Sequence, residues 1–217
     1  MPVPRGVQAI GFTTKKLTAL NVGDGVLDLV GPLGTPTDFG SPKKAIVIGG
    51  GVGCAIAYPQ AKYLHSIGVD VTVIAGFRSK DIVILEDEMK AVSNALFVTT
   101  DDGSYGRKGL VTEVLNELLS KDSYDLVIAI GPVPMMKFVS LTTKPFGVKT
   151  IVSLNPIMID GTGMCGGCRV SVGGETKFAC VDGPDFDGHL VDFDELMRRN
   201  GFYKQEEVHK CRLGGEE

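Results

Sequence analysis

From Lys43 onward the chain alternates between unbroken apolar runs and segments of helical period. KKAIVIGG is apolar throughout and ends on glycine, the pattern of a strand buried on both faces. CAIAYPQAKYLHSIG has helical spacing and stops at Gly68; VDVTVIAG predicts a second strand and IVILEDEMKAVS a helix. ALFVTT, GLVTEVLNELLSK, YDLVIAIG, PVPMMKFVSLTTKP and VKTIVSL continue as strand, helix, strand, helix, strand. This alternation predicts an α/β fold built from right-handed parallel βαβ units. The expected sheet is doubly wound, five-stranded and parallel, in the order 3-2-1-4-5, with a ligand crevice at the C-terminal ends of its strands.

The flanks read differently. Over residues 1–40, VQAIGF and LTALNVGDGVLDLVGPLG predict two or three strands with turns at GD and GPLG. So few strands leave open edges, so this segment is expected to be the last part of a β-barrel. Residues 41–154 are expected to form the doubly wound domain and residues 155–186 a glycine- and cysteine-rich loop. Residues 187–217 carry a short amphipathic helix within HLVDFDELMRRNGFY and a loosely held polar tail, KQEEVHKCRLGGEE.

Composition narrows the function classes. A chain of 217 residues, 43% of them apolar, can bury a sizeable core. A net charge of −4 without a long basic block argues against nucleic acid as a partner. No apolar run reaches the roughly 18 residues of a membrane helix, and MPVPRG lacks the apolar stretch of a signal peptide. A cytoplasmic protein is expected, and there clustered cysteines favour metal ligation over disulfides.

Three loops fall on the predicted crevice edge. The first strand runs into GGGVGCA, where Gly49, Gly50, Gly51 and Gly53 allow backbone N–H groups to approach a pyrophosphate at a helix N-terminus. The match to G-x-G-x-x-G is imperfect: from Gly49 the third glycine position is Cys54, and from Gly51 it is Ile56. Cys54 sits where it could face a nicotinamide or simply pack at the turn. The second strand ends without the acidic residue that would hold a ribose 2′-hydroxyl; Arg78, Ser79 and Lys80 follow. Arg78 and Lys80 either grip a 2′-phosphate or are solvated. In DDGSYGRKG, Asp101, Asp102 and Gly103 are placed to meet the ribose or adenine side. In GPVPMMK, Gly131 and Pro132 permit close approach, and Met135 and Met136 either line a flat ring or belong to the core. The chain shows no evident catalytic His or Ser in these loops.

The stretch NPIMIDGTGMCGGCRVSVGGETKFAC carries the clearest chemistry. Cys165, Cys168 and Cys180 are spaced C-x2-C-x11-C among Gly161, Gly163, Gly166 and Gly167, with Asp160 four intervening residues before the first cysteine. Thiolates on so free a backbone point to a metal centre. A structural zinc held by the three cysteines and His189 is one reading; an iron–sulfur centre is the other.

GPLG, GGGVG, DDGS-x-G, GP-x-PMMK and above all SLNPIMIDGTGMCGGCRV, in this order, resemble the ferredoxin-reductase-type flavoproteins. The resemblance covers residues 7–213. It is nearest to the small-subunit group of NADH-dependent ferredoxin:NADP oxidoreductase, also called sulfide dehydrogenase subunit beta. A related group is the electron-transfer subunit of dihydroorotate dehydrogenase. The resemblance implies an electron-transfer subunit that takes electrons from NAD or NADP in reduced form. They pass through FAD to a 2Fe–2S cluster and on to a larger flavin and iron–sulfur subunit, with ferredoxin or another redox acceptor beyond. It carries over Asp160, Cys165, Cys168 and Cys180 as cluster ligands, an aspartate standing where the dihydroorotate group has a fourth cysteine. The family's flavin signature has no counterpart here, so most of the FAD barrel is expected to be missing from this chain. That leaves a non-catalytic nucleotide- and metal-binding module as an alternative.

Overall fold

A computed structural model describes residues 7, 9 and 11–213. Its centre is a seven-stranded sheet. The middle strands are β1 (Lys44–Gly50), β2 (Asp70–Phe77), β3 (Ala95–Thr100), β5 (Leu126–Ile130) and β6 (Lys149–Ser153). They run parallel in the order β3-β2-β1-β5-β6, which is the predicted doubly wound order. Two short edge strands extend it. β4 (Arg107–Lys108) joins β3 in parallel and β9 (Asp185–Asp187) joins β6 antiparallel. The expected five strands are therefore seven, because elements of two or three residues carry no readable period.

The strands alternate their side chains between two helical layers. Ala45 and Val47 pack with Ala57, Ala61 and Leu64 of α2 (Cys54–Ser66) and with Met89 of α3 (Glu86–Ala91). Ile46 and Ile48 face the other side, against Val114 and Leu115 of α4 (Val111–Lys121) and Met136 and Val139 of α5 (Val133–Thr143). Burial on both faces is why these strands read as continuous apolar runs. Because β1 leads to β2 on one side and its neighbour on the other side is β5, the switch point lies between β1 and β5.

Beyond β6 a long loop precedes a hairpin of β7 (Arg169–Val172) and β8 (Glu175–Phe178). Its two-residue turn is Gly173-Gly174, both at positive φ (61° and 82°), as such a turn requires. After β9 comes α6 (Phe193–Asn200), which buries Phe193 and Leu196 in the same core as α5. Its N-cap is built well: Asp192 accepts a hydrogen bond from the Glu195 N–H at 2.8 Å. Asp194 and Glu195 occupy the first turn, and Arg198 and Arg199 the last, complementing the helix dipole. Asp192→Ala is expected to cost about 1 kcal/mol. A thermal melt of the variant checks this, and an unchanged midpoint would show the cap to be idle.

Three expectations are corrected. Among the described residues, the strands expected before Pro42 are not formed. Phe12–Thr18 is a helix, α1, and only a single bridge, Val22 to Asp24, follows it; Gln8 and Ile10 of VQAIGF lie outside the described residues. A strand needs a neighbour to satisfy its backbone, and here Val22, Leu27, Leu29 and Val30 stand in solvent. The helix expected over IVILEDEMKAVS begins only at Glu86, where three acidic residues suit the first turn. The polar tail forms α7 (Lys204–Leu213); residues 214–217 lie outside the described residues.

Candidate functional site

At the switch point the two glycine loops close on one another. A Cβ on Gly53 would lie 2.9 Å from the Gly131 Cα and closer still to the Ile130 carbonyl oxygen. A Cβ on Gly50 would meet Pro132 Cδ at 2.9 Å and the Met135 sulfur. The floor of the crevice is therefore backbone packed on backbone, and these glycines are required by that contact. Gly51 differs: it has φ 54° and open space around it, so it presents its backbone outward. Gly49 is buried against the Cys54 sulfur.

Two predicted contacts are withdrawn from the crevice. Cys54 is fully buried between sheet and α2, and burial pushes its thiol up to about 12. Met136 is fully buried in the opposite layer. Both belong to the core, since each faces inward from the first turn of its helix. Met135, half-buried over Gly50 and Gly131, and the exposed Pro132 stay at the rim.

The loops after β2 and β3 interlock beside this rim. The Arg78 carbonyl accepts from the Asp102 N–H at 3.2 Å, and the Lys80 N–H donates to Ser104 Oγ at 2.9 Å. Asp102 Oδ1 accepts from the Ser104 hydroxyl (2.6 Å) and then from its N–H (2.9 Å), which in that order hold its carboxyl below the usual range. Asp102 thus shapes the turn around Gly103 (φ 77°), while Asp101 stays exposed. The Lys80 ammonium lies 5.5 Å from the Tyr105 ring. Arg78 is exposed and makes no ion pair among the described residues, leaving a free cation at the end of β2.

The second centre is the loop between β6 and β7. Hairpin pairing decides its shape. Arg169 pairs with Phe178, and the Ala179 N–H donates to the Cys168 carbonyl at 3.2 Å. The eleven residues between Cys168 and Cys180 are thereby folded back on themselves, and the two sulfurs lie 3.2 Å apart. Both are buried, at 1% and 7% exposure, against Ala179 with Phe178 and Phe186 around them. Burial and then the neighbouring Cys168 sulfur push the Cys180 thiol up, while the Gly163 N–H beside it acts the other way. Gly163 has φ 88°, and a Cβ there would come within 2.7 Å of Val181 Cγ2, so only glycine delivers that N–H.

Asp160 and Cys165 form a second, exposed pair. Asp160 Oδ2 accepts from the Cys165 N–H at 2.7 Å, and Oδ1 from the Thr162 N–H at 2.6 Å. The Thr162 N–H, first among these contacts, holds the Asp160 carboxyl below the usual range, so it is a carboxylate ready to ligate. The Gly167 N–H donates to the Cys165 sulfur at 3.3 Å. Among the described residues no three donors converge on a single point. The donors come as two pairs, Asp160 with Cys165 and Cys168 with Cys180, which suits a two-iron centre with two protein ligands per iron. His189, the fourth ligand of the zinc reading, does not converge with these donors among the described residues. His189 Nε2 is 2.9 Å from Thr143 Oγ1, in a hydroxyl chain with Thr150 between α5 and β6.

The N-terminal segment is laid against this loop. Thr35 donates its N–H to the Gly183 carbonyl (2.7 Å) and its hydroxyl to the Val181 carbonyl (2.9 Å). A Cβ on Gly161 would sit 3.0 Å from Leu33 Cδ1. Sequence reading missed Arg169 and Arg199, which donate to the carbonyls of Gly166 (3.5 Å) and Gly167 (3.3 Å). It also missed the β7–β8 hairpin, although VSVGGETKF is a two-residue-turn signal.

Comparison with known proteins falls on the same stretch. Residues 155–192 match the iron–sulfur cluster binding domain of dihydroorotate dehydrogenase B. The chain is 49% identical to a dihydroorotate dehydrogenase B (NAD(+)) electron transfer subunit homolog of Thermotoga maritima, over 93% of this chain and 71% of that one. It is 38% identical to the electron transfer subunit of Streptococcus pneumoniae, over 81% of this chain and 71% of that one. A solved NADH-dependent reduced ferredoxin-NADP oxidoreductase structure, described for flavin-based electron bifurcation, matches with a TM-score of 0.88 and 47% identity. That match covers 95% of this chain and 75% of the other. The cytochrome b5 reductase domain of Ulva prolifera nitrate reductase, 20% identical with a TM-score of 0.52 over 64% of this chain and 61% of that one, shares the fold alone. The chain belongs to the family of dihydroorotate dehydrogenase B electron transfer subunits and their homologs, as an electron-transfer subunit of an oxidoreductase with a ferredoxin-reductase-like fold.

Proposed function

We propose that this chain takes electrons from NAD(P)H by way of FAD to a 2Fe–2S centre held by Asp160, Cys165, Cys168 and Cys180. The electrons pass on to a larger flavin and iron–sulfur subunit, in the manner of the ferredoxin:NADP oxidoreductase small subunit. The observation that carries this is the two-by-two donor set, Asp160 with Cys165 and Cys168 with Cys180. When bound, the flavin divides a two-electron hydride into single electrons and the cluster carries them one at a time. The chain's own residues do the rest. Gly51, Pro132 and Met135 form the rim that receives the nicotinamide end. Arg78, Asp101 and the turn shaped by Asp102 and Gly103 receive the adenosine end. Cys168 and Cys180, both buried, would hold their half of the cluster away from water. Residues up to about 40 serve the flavin side, residues 41–154 the nucleotide and residues 155–186 the cluster.

The reading as a dihydroorotate dehydrogenase electron-transfer subunit is favoured by the match of residues 155–192. Asp160 at the first ligand position favours the ferredoxin:NADP type. Copurification with a dihydroorotate dehydrogenase catalytic subunit would reverse that preference. No helix among the described residues is long and apolar enough to cross a membrane. We place the chain in the cytoplasm, where reduced thiols assemble clusters.

An inventory of iron, sulfide, zinc and flavin in the purified chain tests the main reading. A brown protein bleached by dithionite supports it, and a colourless protein carrying one zinc sinks it. NAD(P)H:dye reduction with added FAD separates an electron carrier from a non-catalytic module. Arg78→Ala is expected to raise the KM for NAD(P)H roughly tenfold, about 1.4 kcal/mol. A larger loss for NADPH than for NADH would place the guanidinium on the 2′-phosphate, and no loss for either would remove Arg78 from the site.

A further inference from the structure

Arg199 has an unusual setting for a helix C-terminal arginine. Its Nη2 donates to the Gly167 carbonyl at 3.3 Å, across the surface of the cluster loop. Its Nε is buried and has no hydrogen-bond partner. No carboxylate pairs with it among the described residues. An uncompensated, part-buried cation is costly unless something nearby carries negative charge. The next residue binds the same loop at its other end: Asn200 Nδ2 donates to the Asn155 carbonyl at 3.3 Å. α6 is itself held to the sheet by Phe193 and Leu196, and to α5 by the Lys137–Asp194 ion pair at 2.7 Å.

The Gly167 carbonyl belongs to the peptide joining Gly167 to Cys168, and the Gly167 N–H donates to the Cys165 sulfur. Arg199 therefore sits on the short link between two ligand cysteines. Because a trans peptide is planar, a donor on its carbonyl orients the Cys168 N–H away from Arg199 and polarises it. Two ferric ions, two sulfides and four singly charged ligands sum to a dianion, which one electron turns into a trianion. A fixed cation favours the more negative state.

We infer that Arg199 is a positioning residue that clamps the Gly167–Cys168 peptide and raises the reduction potential of the centre. This rests on the two-iron reading of the loop. Arg169 provides the comparison, because its contact to Gly166 is longer (3.5 Å) and its side chain is exposed, so solvent screens its charge.

The test is a mediated redox titration of the purified chain with its cluster, followed by electron paramagnetic resonance. The samples are wild type, Arg199→Gln, Arg199→Lys and Arg169→Gln. Arg199→Gln is expected to lower the ratio of reduced to oxidised cluster at fixed potential roughly tenfold, about 59 mV for one electron. Arg199→Lys restores most of the shift, and Arg169→Gln moves it less than half as far. A potential unchanged in Arg199→Gln, or an equal shift in Arg169→Gln, overturns the inference. Loss of the cluster from Arg199→Gln but not from Arg199→Lys supports it, and loss from both overturns the role of the charge. A wild-type chain that takes up no iron would instead sink the cluster reading itself.

Discussion

Cys168→Ala is expected to leave a folded chain without a stable iron–sulfur centre, and Cys180→Ala to do the same. The two sulfurs lie 3.2 Å apart and buried, so neither can be replaced by water when the other remains. Outer partners of a metal ligand are worth about 10–100-fold in affinity, and losing a ligand costs more than that. The fold survives because Cys168 and Cys180 pack in a small cluster of their own, separate from the two main core layers. Stability supplied by bound metal disappears with it, so the variants should match the melting behaviour of metal-stripped wild type. Asp160 behaves differently, since it is exposed and tied to loop N–H groups. Asp160→Cys should keep the centre, while Asp160→Ala should release iron faster to a chelator. Iron and sulfide content with the visible spectrum decides the matter. A Cys168→Ala protein with wild-type iron content would remove Cys168 from the ligand set.

Gly53→Val is expected to destabilise the chain by about 2–3 kcal/mol and to abolish nucleotide binding at the crevice. Even a Cβ at Gly53 would be driven into the Ile130 carbonyl and to 2.9 Å from the Gly131 Cα. Both obstacles are backbone at the end of β5, which cannot step aside as a side chain can. The two loops would have to part, and the rim formed by Gly51, Pro132 and Met135 would open. For a chain of this size the melting point should fall by about 5–10 °C. Gly51→Ala is the comparison: nothing lies within 4 Å, and only its φ of 54° is strained. It should cost about 1 kcal/mol and spare the packing. Equal melting points for the two variants would show that the loops are not locked by contact.

Much of this architecture was legible in the chain itself. The order of the central strands follows from apolar runs such as KKAIVIGG alternating with helical segments, because handedness and burial leave few other arrangements. The spacing of Asp160 and the three cysteines on one glycine loop was legible as a candidate metal centre, and the match of residues 155–192 to an iron–sulfur cluster binding domain falls on the same stretch. The roles of individual glycines were not legible: Gly53 serves packing and Gly51 faces outward, a difference set by how closely two backbones approach. Nor were the roles of Cys54 and Met136, which a helix start places equally well in a crevice or a core; only the neighbouring layers send both inward. Residues 19–43 have strand-like composition but form no strand among the described residues; they make the Val22–Asp24 bridge and the contacts of Thr35 with the cluster loop.

The sequence by itself determined the order of the five central strands and brought Asp160 and the three cysteines onto one loop, because periodicity and spacing are local. Tertiary structure alone decided how the donors divide into pairs. It also decided which residues steady them, because Cys180 reaches Cys168 only through the β7–β8 hairpin. Arg199 reaches Gly167 across thirty-two positions of chain, through the docking of α6 on the core.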